Sequence, residues 1–252
     1  MILLTEQRHK IILDELEKKG IVKINDLVKL LNTSESTIRR DLVYLDSINA
    51  VRRIHGGAEI PKGKFIEPSY LEKEIRNVEE KRKIAKFAAS LINEGDCVYL
   101  DAGTSTFEMI QYINKKEIII VTNGLKHINA IIENNINGYI LGGKVKNRTR
   151  AVIGSDALRS LEKFRFDKCF LGMNGVHLEY GFTTPDSEEA ILKKTAIKHS
   201  RCSYILADGS KFGEVSFVKV ADLKEASIIT DSEVEDCEMY LEKTKIKVVK
   251  NL

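Results

Sequence analysis

The sequence lacks most of what would mark a secreted, membrane-bound or metal-dependent protein. Its four cysteines, Cys97, Cys169, Cys202 and Cys237, stand far apart, with no Cys-x-x-Cys pair and no histidine nearby at ligand spacing. Such thiols read as reduced and mostly buried, neither disulfides nor a zinc site. No apolar run approaches membrane length, and the opening Met1-Ile-Leu-Leu4 meets Glu6, Arg8 and Lys10 before a signal segment forms. A soluble cytoplasmic protein is expected, with no membrane partner, no metal and no cofactor. Charge of one sign is missing too: 40 basic residues face 37 acidic ones, so only local clustering can point to nucleic acid. No internal repeat or low-complexity tract appears. At 252 residues the chain can hold one large domain or one small and one medium domain.

Lysine is absent between Lys29 and Lys62, while residues 39 to 53 hold four arginines. Arginine's planar fork suits phosphate oxygens and guanine O6/N7, whereas lysine is a point charge. Ser34 can cap a helix in which Ile38, Leu42 and Leu45 form one buried stripe. Ser36 and Arg40 then point away from that stripe, flanked by Thr37, Arg39 and Tyr44. Val51-Arg52-Arg53-Ile54 alternates as a half-exposed strand, and His55-Gly56-Gly57 permits a tight wing turn. A solvated helix face followed by an ordinary turn would leave the same pattern.

Upstream, Ile11, Ile12 and Leu16 mark a helix over residues 5 to 19 that Gly20 stops. Ile21 to Ile24 reads as a short strand. Asn25 can cap a second helix with Leu27, Val28, Leu30 and Leu31 inward, and Asn32-Thr33 turns into the third helix. This is a helix-turn-helix with a wing. Its candidate DNA contacts are Ser36, Thr37, Arg39, Arg40, Tyr44, Arg52, Arg53 and His55, and its expected partner is double-stranded operator DNA.

Two of the three prolines, Pro61 and Pro68, fall among charged residues, which places a linker over 59–75 between a DNA-binding domain (1–58) and a larger domain (76–252). The larger domain opens on a helix from Asn77 with Ile84, Phe87, Ala88, Leu91 and Ile92 on one face. Short apolar runs follow: Cys97 to Leu100, Ile118 to Val121, Tyr139 to Leu141, Cys169 to Leu171, Tyr204 to Ala207 and Ser227 to Thr230. Runs without polar alternation fit strands covered on both faces, so a mostly parallel α/β sheet is expected. Lys243 to Lys250 reads as an edge strand.

The chemistry of this domain gathers where strands stop. Asp101-Ala102-Gly103-Thr104-Ser105-Thr106 offers amides, hydroxyls and a helix start to an anion, with phosphate the natural guest. It is neither a Walker A loop nor a dinucleotide fingerprint. A capped helix start without ligand would read the same. Thr122-Asn123-Gly124, Gly142-Gly143 and Gly172-Met173-Asn174-Gly175 share the placement, and ligands of open α/β sheets sit outside the carboxyl ends of the strands. Thr183 to Ala190 opens a later helix, and Asp208 to Phe212 follows another strand. Lys193 and Lys211 could meet phosphate; Asp101, Glu189 and Asp208 could accept sugar hydroxyls. Each of these lone charges could equally be solvated or paired.

Thr37-Ile38-Arg39-Arg40-Asp41-Leu42, together with His55-Gly56-Gly57-Ala58, resembles the signature of the DeoR-type family of bacterial transcription regulators. Gly103 to Thr106, Thr122-Asn123, Gly142-Gly143 and Ser210-Lys211-Phe212-Gly213 match the sensor pattern of that family, which more often has threonine where Ser105 stands. The resemblance implies a winged helix-turn-helix ahead of a sensor that is similar in fold to ribose-phosphate isomerases and binds phosphorylated sugars without turning them over. Phe166 to Gly175 with Gly181 to Pro185 looks most like the fructose-operon repressor branch, whose implied effector is fructose 1-phosphate. Gly209 departs from the histidine expected in that branch.

These readings converge on a sugar-operon repressor, released from its operator by a sugar phosphate. A homo-oligomer is expected because operators usually mirror protein symmetry. No catalytic residue is expected, since the candidate carboxylates and lysine lie on separate turns. The alternative is a sugar-phosphate isomerase with an accessory DNA module, using Asp101, Glu189 and Lys211 as acid and base groups.

Overall fold

Apolar residues at helical spacing bury one face of α1 (Thr5–Lys19), where Ile12, Leu13 and Leu16 enter a core. The computed structural model describes residues 4–48, 50–59, 67–232 and 236–249. Its contacts divide the chain into two units, Met1–Arg76 and Asn77–Leu252. In the first, Gly20 ends α1 with φ +73°, its N–H donating to Leu16 O at 2.7 Å. Next come β1 (Ile21–Lys23), α2 (Ile24–Leu31), α3 (Glu35–Ser47), β2 (Arg52–Ile54) and β3 (Gly57–Glu59).

The second helix starts two residues earlier than expected, with Lys23 in the cap position instead of Asn25. Its buried stripe is Ile24, Leu27 and Leu31, so Leu30, about 100° round from Leu31, lies 52% exposed. The strands pair antiparallel in the order β1-β3-β2, making β2 and β3 the wing hairpin. The two wing glycines do different jobs. Gly56 takes φ +78° in the turn, whereas a Cβ on Gly57 would stand 2.0 Å from Val22 O, so only glycine lets β3 approach β1.

Part of the stretch expected as linker is folded. Glu59 ends β3, and α4 (Tyr70–Ile75), capped by Ser69, packs Leu71 and Ile75 against the first unit's core. Residues 60–66, with Pro61, lie outside the described residues.

The second unit runs α5 (Val78–Ser90), β4 (Cys97–Leu100), α6 (Thr104–Met109), β5 (Ile119–Thr122), α7 (Leu125–Glu133), β6 (Asn137–Ile140), β7 (Lys144–Lys146), β8 (Ala151–Ile153) and α8 (Ser155–Leu161). It continues with β9 (Phe166–Gly172), β10 (Gly175–His177), β11 (Gly181–Thr184), α9 (Ser187–Lys198), β12 (Ser200–Leu206), β13 (Val218–Ala221), β14 (Ser227–Thr230), α10 (Cys237–Leu241) and β15 (Ile246–Val248). Seven strands form one sheet in the order β15-β14-β12-β9-β4-β5-β6, parallel at every pairing.

Strand side chains alternate between faces, and the core divides accordingly. Tyr99, Cys169, Leu171, Ile205 and Ile228 belong to one cluster, while Val98, Leu100, Phe170, Leu206 and Ile229 belong to the other. This is the α/β sheet expected, with β15 at one edge. The exception is β6, whose four residues are all exposed, because it is the opposite edge of the sheet. Two small antiparallel sheets, β7-β8 and β10-β11-β13, carry the connections.

Gly57→Ala should cost about 1–3 kcal/mol through overpacking against the β1 backbone, read as a lower unfolding midpoint of the full chain. A midpoint equal to wild type would mean the wing hairpin is not held this tightly to β1.

Candidate functional site

On α3 the stripe Ile38, Leu42 and Leu45 is buried, and Ser34 caps the helix, accepting Thr37 N–H at 3.3 Å. Ser36, Arg39, Arg40 and Tyr44 are exposed as a result, with Thr37 half-buried. Glu35 holds Arg39 one turn away, at 2.8 Å from Nε. Arg52 pairs with Glu59 across the wing, and the Arg53 backbone N–H donates to Asp46 at 3.1 Å. Arg40 and the Arg53 guanidinium pair with no carboxylate among the described residues, and His55 is exposed at the wing tip.

Asp41 was not anticipated. It is buried beside the exposed arginines and accepts from Arg8 Nε at 2.9 Å, Arg8 Nη2 at 3.0 Å and His9 Nε2 at 3.1 Å. His9 also stacks on Tyr44, ring centroids 5.0 Å apart. The third helix is therefore pinned to α1 by a charged bond set on one face and a ring stack beside it. The sequence signal was available: one acid stands in an apolar stripe opposite Arg8 and His9.

In the second unit the turn after β4 is built around Asp101. One carboxylate oxygen accepts Gly103 N–H at 3.0 Å and the Thr106 hydroxyl at 3.0 Å. The other accepts Gly172 N–H at 2.9 Å from the turn after β9, and the Lys193 ammonium from α9. Lys193 also donates to Gly172 O at 2.9 Å. A Cβ on Gly103 would come within 2.9 Å of that carboxylate, so the turn closes only on glycine.

Gly103 provides no side-chain cap to α6. The amides of Thr104, Ser105 and Thr106 are the first-turn donors that a helix cannot satisfy itself, and the hydroxyls of Thr104 and Ser105 bond to none of the described residues. Thr106 points inward, its hydroxyl 3.2 Å from His127 Nε2. His127 is wholly buried with Nδ1 unpartnered, and burial, opposed by the Asp101 charge, lowers its pKa to about 4.

The other expected effector residues divide by what they already hold. Thr122 accepts Gly124 N–H at 3.0 Å, and Asn123 joins the Tyr99 hydroxyl (3.0 Å) to Val152 O (3.0 Å). Glu189 accepts from Thr149 at 2.6 Å and Lys146 at 3.2 Å. Burial first, then the charges of Asp101, Cys169 and Glu189, raise the Tyr99 phenol well above its ordinary pKa. Asn174 accepts from Thr184 at 3.2 Å.

Asp208 and Lys211 form a separate group: Asp208 binds Ser210 N–H and Asn77, each at 3.0 Å, with Lys211 Nζ 4.0 Å away. Gly142 and Gly143 are exposed, and Gly143 abuts Ile153 O and Ala157 beyond β7. Asp101, Gly103, Thr106, Gly172 and Lys193 thus make one bonded set, with Thr104 and Ser105 carried between its members. Gly142, Gly143, Asp208 and Lys211 have their contacts elsewhere. Among the described residues no group of three or more His, Cys, Asp or Glu side chains could hold a metal ion.

Two family models match: a DeoR-like helix-turn-helix domain over residues 8–64 and a DeoR C-terminal sensor domain over residues 76–232. An uncharacterised HTH-type transcriptional regulator, FruR of Bacillus subtilis (strain 168), is 52% identical over 250 residues, spanning 98% of this chain and all of that one. The chain belongs to the DeoR family.

Other DeoR-like relatives include a lactose phosphotransferase system repressor of Staphylococcus epidermidis, 36% identical over 89% of this chain and 93% of its own. A putative aga operon transcriptional repressor of Escherichia coli O157:H7 is 34% identical over 89% of this chain and 85% of its own. Among solved structures, ribose 5-phosphate isomerase A of Methanocaldococcus jannaschii aligns at TM-score 0.40 and 15% identity over 54% of this chain and 55% of that one. That likeness is too loose to carry an argument. As a DeoR-family member the chain is a DNA-binding transcription regulator, not an enzyme. No described helix is long and apolar enough to cross a membrane.

Two outcomes follow from the buried charges. Asp41→Ala strands Arg8 and His9 and should destabilise the first unit by about 3 kcal/mol, measured by chemical denaturation; a loss under about 0.5 kcal/mol would mean that the pairing is incidental. His127 is neutral when folded, so the unfolded chain takes up its proton from pH 6.5 downward and the folded chain only near pH 4. Stability should therefore fall through that window by about 3 kcal/mol on this account, and His127→Gln should flatten that part of the profile. Parallel profiles for the two proteins would contradict it.

Proposed function

We propose that the chain represses a sugar-utilisation operon and leaves its operator when a phosphorylated sugar, such as fructose 1-phosphate, fills the strand-end site of the second unit. The carrying observation is the uncapped first turn of α6, with three amides and two unbonded hydroxyls beside the buried Lys193. A phosphate completes such a turn, because the helix start favours negative charge and its N–H groups lack acceptors. Lys193 has a third donor beyond Asp101 and Gly172 O to offer it. The lactose-system and aga-operon repressor names of two relatives support a sugar operon as the target.

The first unit reads DNA in this proposal. Ser36, Thr37 and Arg40 lie on the free face of α3, and Arg40, unpaired, is the best placed to reach a base edge or a phosphate. Arg39 must leave Glu35, and Arg52 must leave Glu59, to make an equivalent contact. Arg53 and His55 extend the surface along the wing. Release requires that the effector favour the state with lower operator affinity.

An operator duplex selected from random sequence, with binding followed by fluorescence anisotropy, tests both halves. Arg40→Ala should weaken binding by about 1–3 kcal/mol if the guanidinium reads a guanine, or uniformly across sequences with a shallower salt slope if it grips phosphate. Unchanged binding removes Arg40 from the interface. Thr104→Asp puts a carboxylate where the phosphate would sit, so the protein should hold the operator normally and fail to release it at any effector concentration that frees wild type. Release at the wild-type concentration would take the phosphate away from this turn.

A further inference from the structure

The open edge of the seven-stranded sheet at β6 is built differently from the edge at β15. At β15, Lys245 and Lys247 are exposed, the kind of charge that keeps a second strand from adding to an edge. At β6 the residues Asn137-Gly138-Tyr139-Ile140 carry no charge, all four are exposed, and Tyr139 and Ile140 leave 49% and 43% of their surface uncovered. Tyr139 is nonetheless held in place, its ring 5.6 Å from that of Phe164. The strand is ordered, uncharged and unguarded.

The backbone register identifies which groups are unused. Thr122 is paired with Ile140, and Leu141 N–H donates to Thr122 O at 2.9 Å, so Tyr139 and Leu141 turn their amide groups toward β5. Gly138 and Ile140 therefore turn theirs outward. We propose that this edge is the interface between two copies of the chain, β6 pairing antiparallel with β6 across a two-fold axis at Tyr139. Gly138 of one copy then exchanges both backbone bonds with Ile140 of the other, and the two Tyr139 residues face each other in the closer, non-bonded pair.

Charge selects a second copy as the occupant. The chain entering β6 carries the exposed Glu133, and the chain leaving it carries Lys144, exposed and 3.5 Å from Glu188. Antiparallel pairing lays the Glu133 end of each copy along the Lys144 end of the other, twice, which is the self-complementarity that a two-fold contact requires. Parallel addition would set like ends together. The choice also rests on the repressor reading, since a two-fold protein matches a two-fold operator.

Sedimentation velocity on the full chain tests it. Wild type should sediment as a dimer, and Ile140→Lys, a substitution at an exposed position, should raise the dissociation constant at least tenfold without lowering the unfolding midpoint. Tyr139→Cys in a Cys202→Ser background should form a covalent dimer on mild oxidation, while Cys202→Ser alone should not. A monomeric wild type, or an Ile140→Lys protein that dimerises as wild type does, overturns the interface. A dimer broken by Ile140→Lys supports it even if that dimer shows no preference for operator over random DNA, a result that would overturn only the repressor reading.

Discussion

The second unit depends on one buried carboxylate. Asp101 is 2% exposed and has four donors around it: two backbone amides from different strand ends, a hydroxyl and an ammonium. A buried charge is tolerated only when paired and bonded, and here the bonding is what joins β4, β9 and α9 at the end of the sheet. Because Asp101 takes the Gly103 amide and the Thr106 hydroxyl for itself, the next amides of α6 are fixed in direction and left without acceptors. An acid that holds the turn is thus what leaves the turn open to an anion.

The first unit repeats this logic in smaller form. Asp41 is buried next to the exposed Arg40, and its bonds from Arg8 and His9 tie α3 to α1. The glycines divide labour similarly, Gly56 allowing the wing turn and Gly57 the approach of strands. Each unit spends one buried acid on orienting the element that would meet a ligand. The groups named for the isomerase alternative are held apart, since Asp101 is tied to Lys193, Glu189 to Lys146 and Thr149, and Lys211 lies in the separate group with Asp208 and Ser210.

Much of the fold was legible because period and composition agreed: Ile38, Leu42 and Leu45 marked α3, and uninterrupted apolar runs marked the parallel strands at the middle of the sheet. Cover was harder to read. Tyr139 and Ile140 look like the interior of a sheet in sequence, yet β6 is its edge, because an apolar run does not say how many neighbours a strand has. The short strands β7, β8, β10, β11 and β13 were missed, being only three or four residues long, too short to show a period. In the site, residue types and turn positions were legible, but partners were not. Asp101 and Lys193 lie 92 residues apart and neutralise each other. His127 gave no signal, since a lone histidine in an amphipathic helix is ordinary.

In the proposed mechanism the turn from Gly103 to Thr106 takes the phosphate of a sugar phosphate. The most direct measurement is the unfolding midpoint of the full chain titrated with fructose 1-phosphate, fructose 6-phosphate, free fructose and inorganic phosphate, because a ligand that binds only the folded state raises the midpoint with concentration. The account predicts a rise with at least one phosphorylated sugar at concentrations where free fructose does nothing, and loss of that rise in Ser105→Asp. A rise with free fructose equal to that with its phosphates would contradict it.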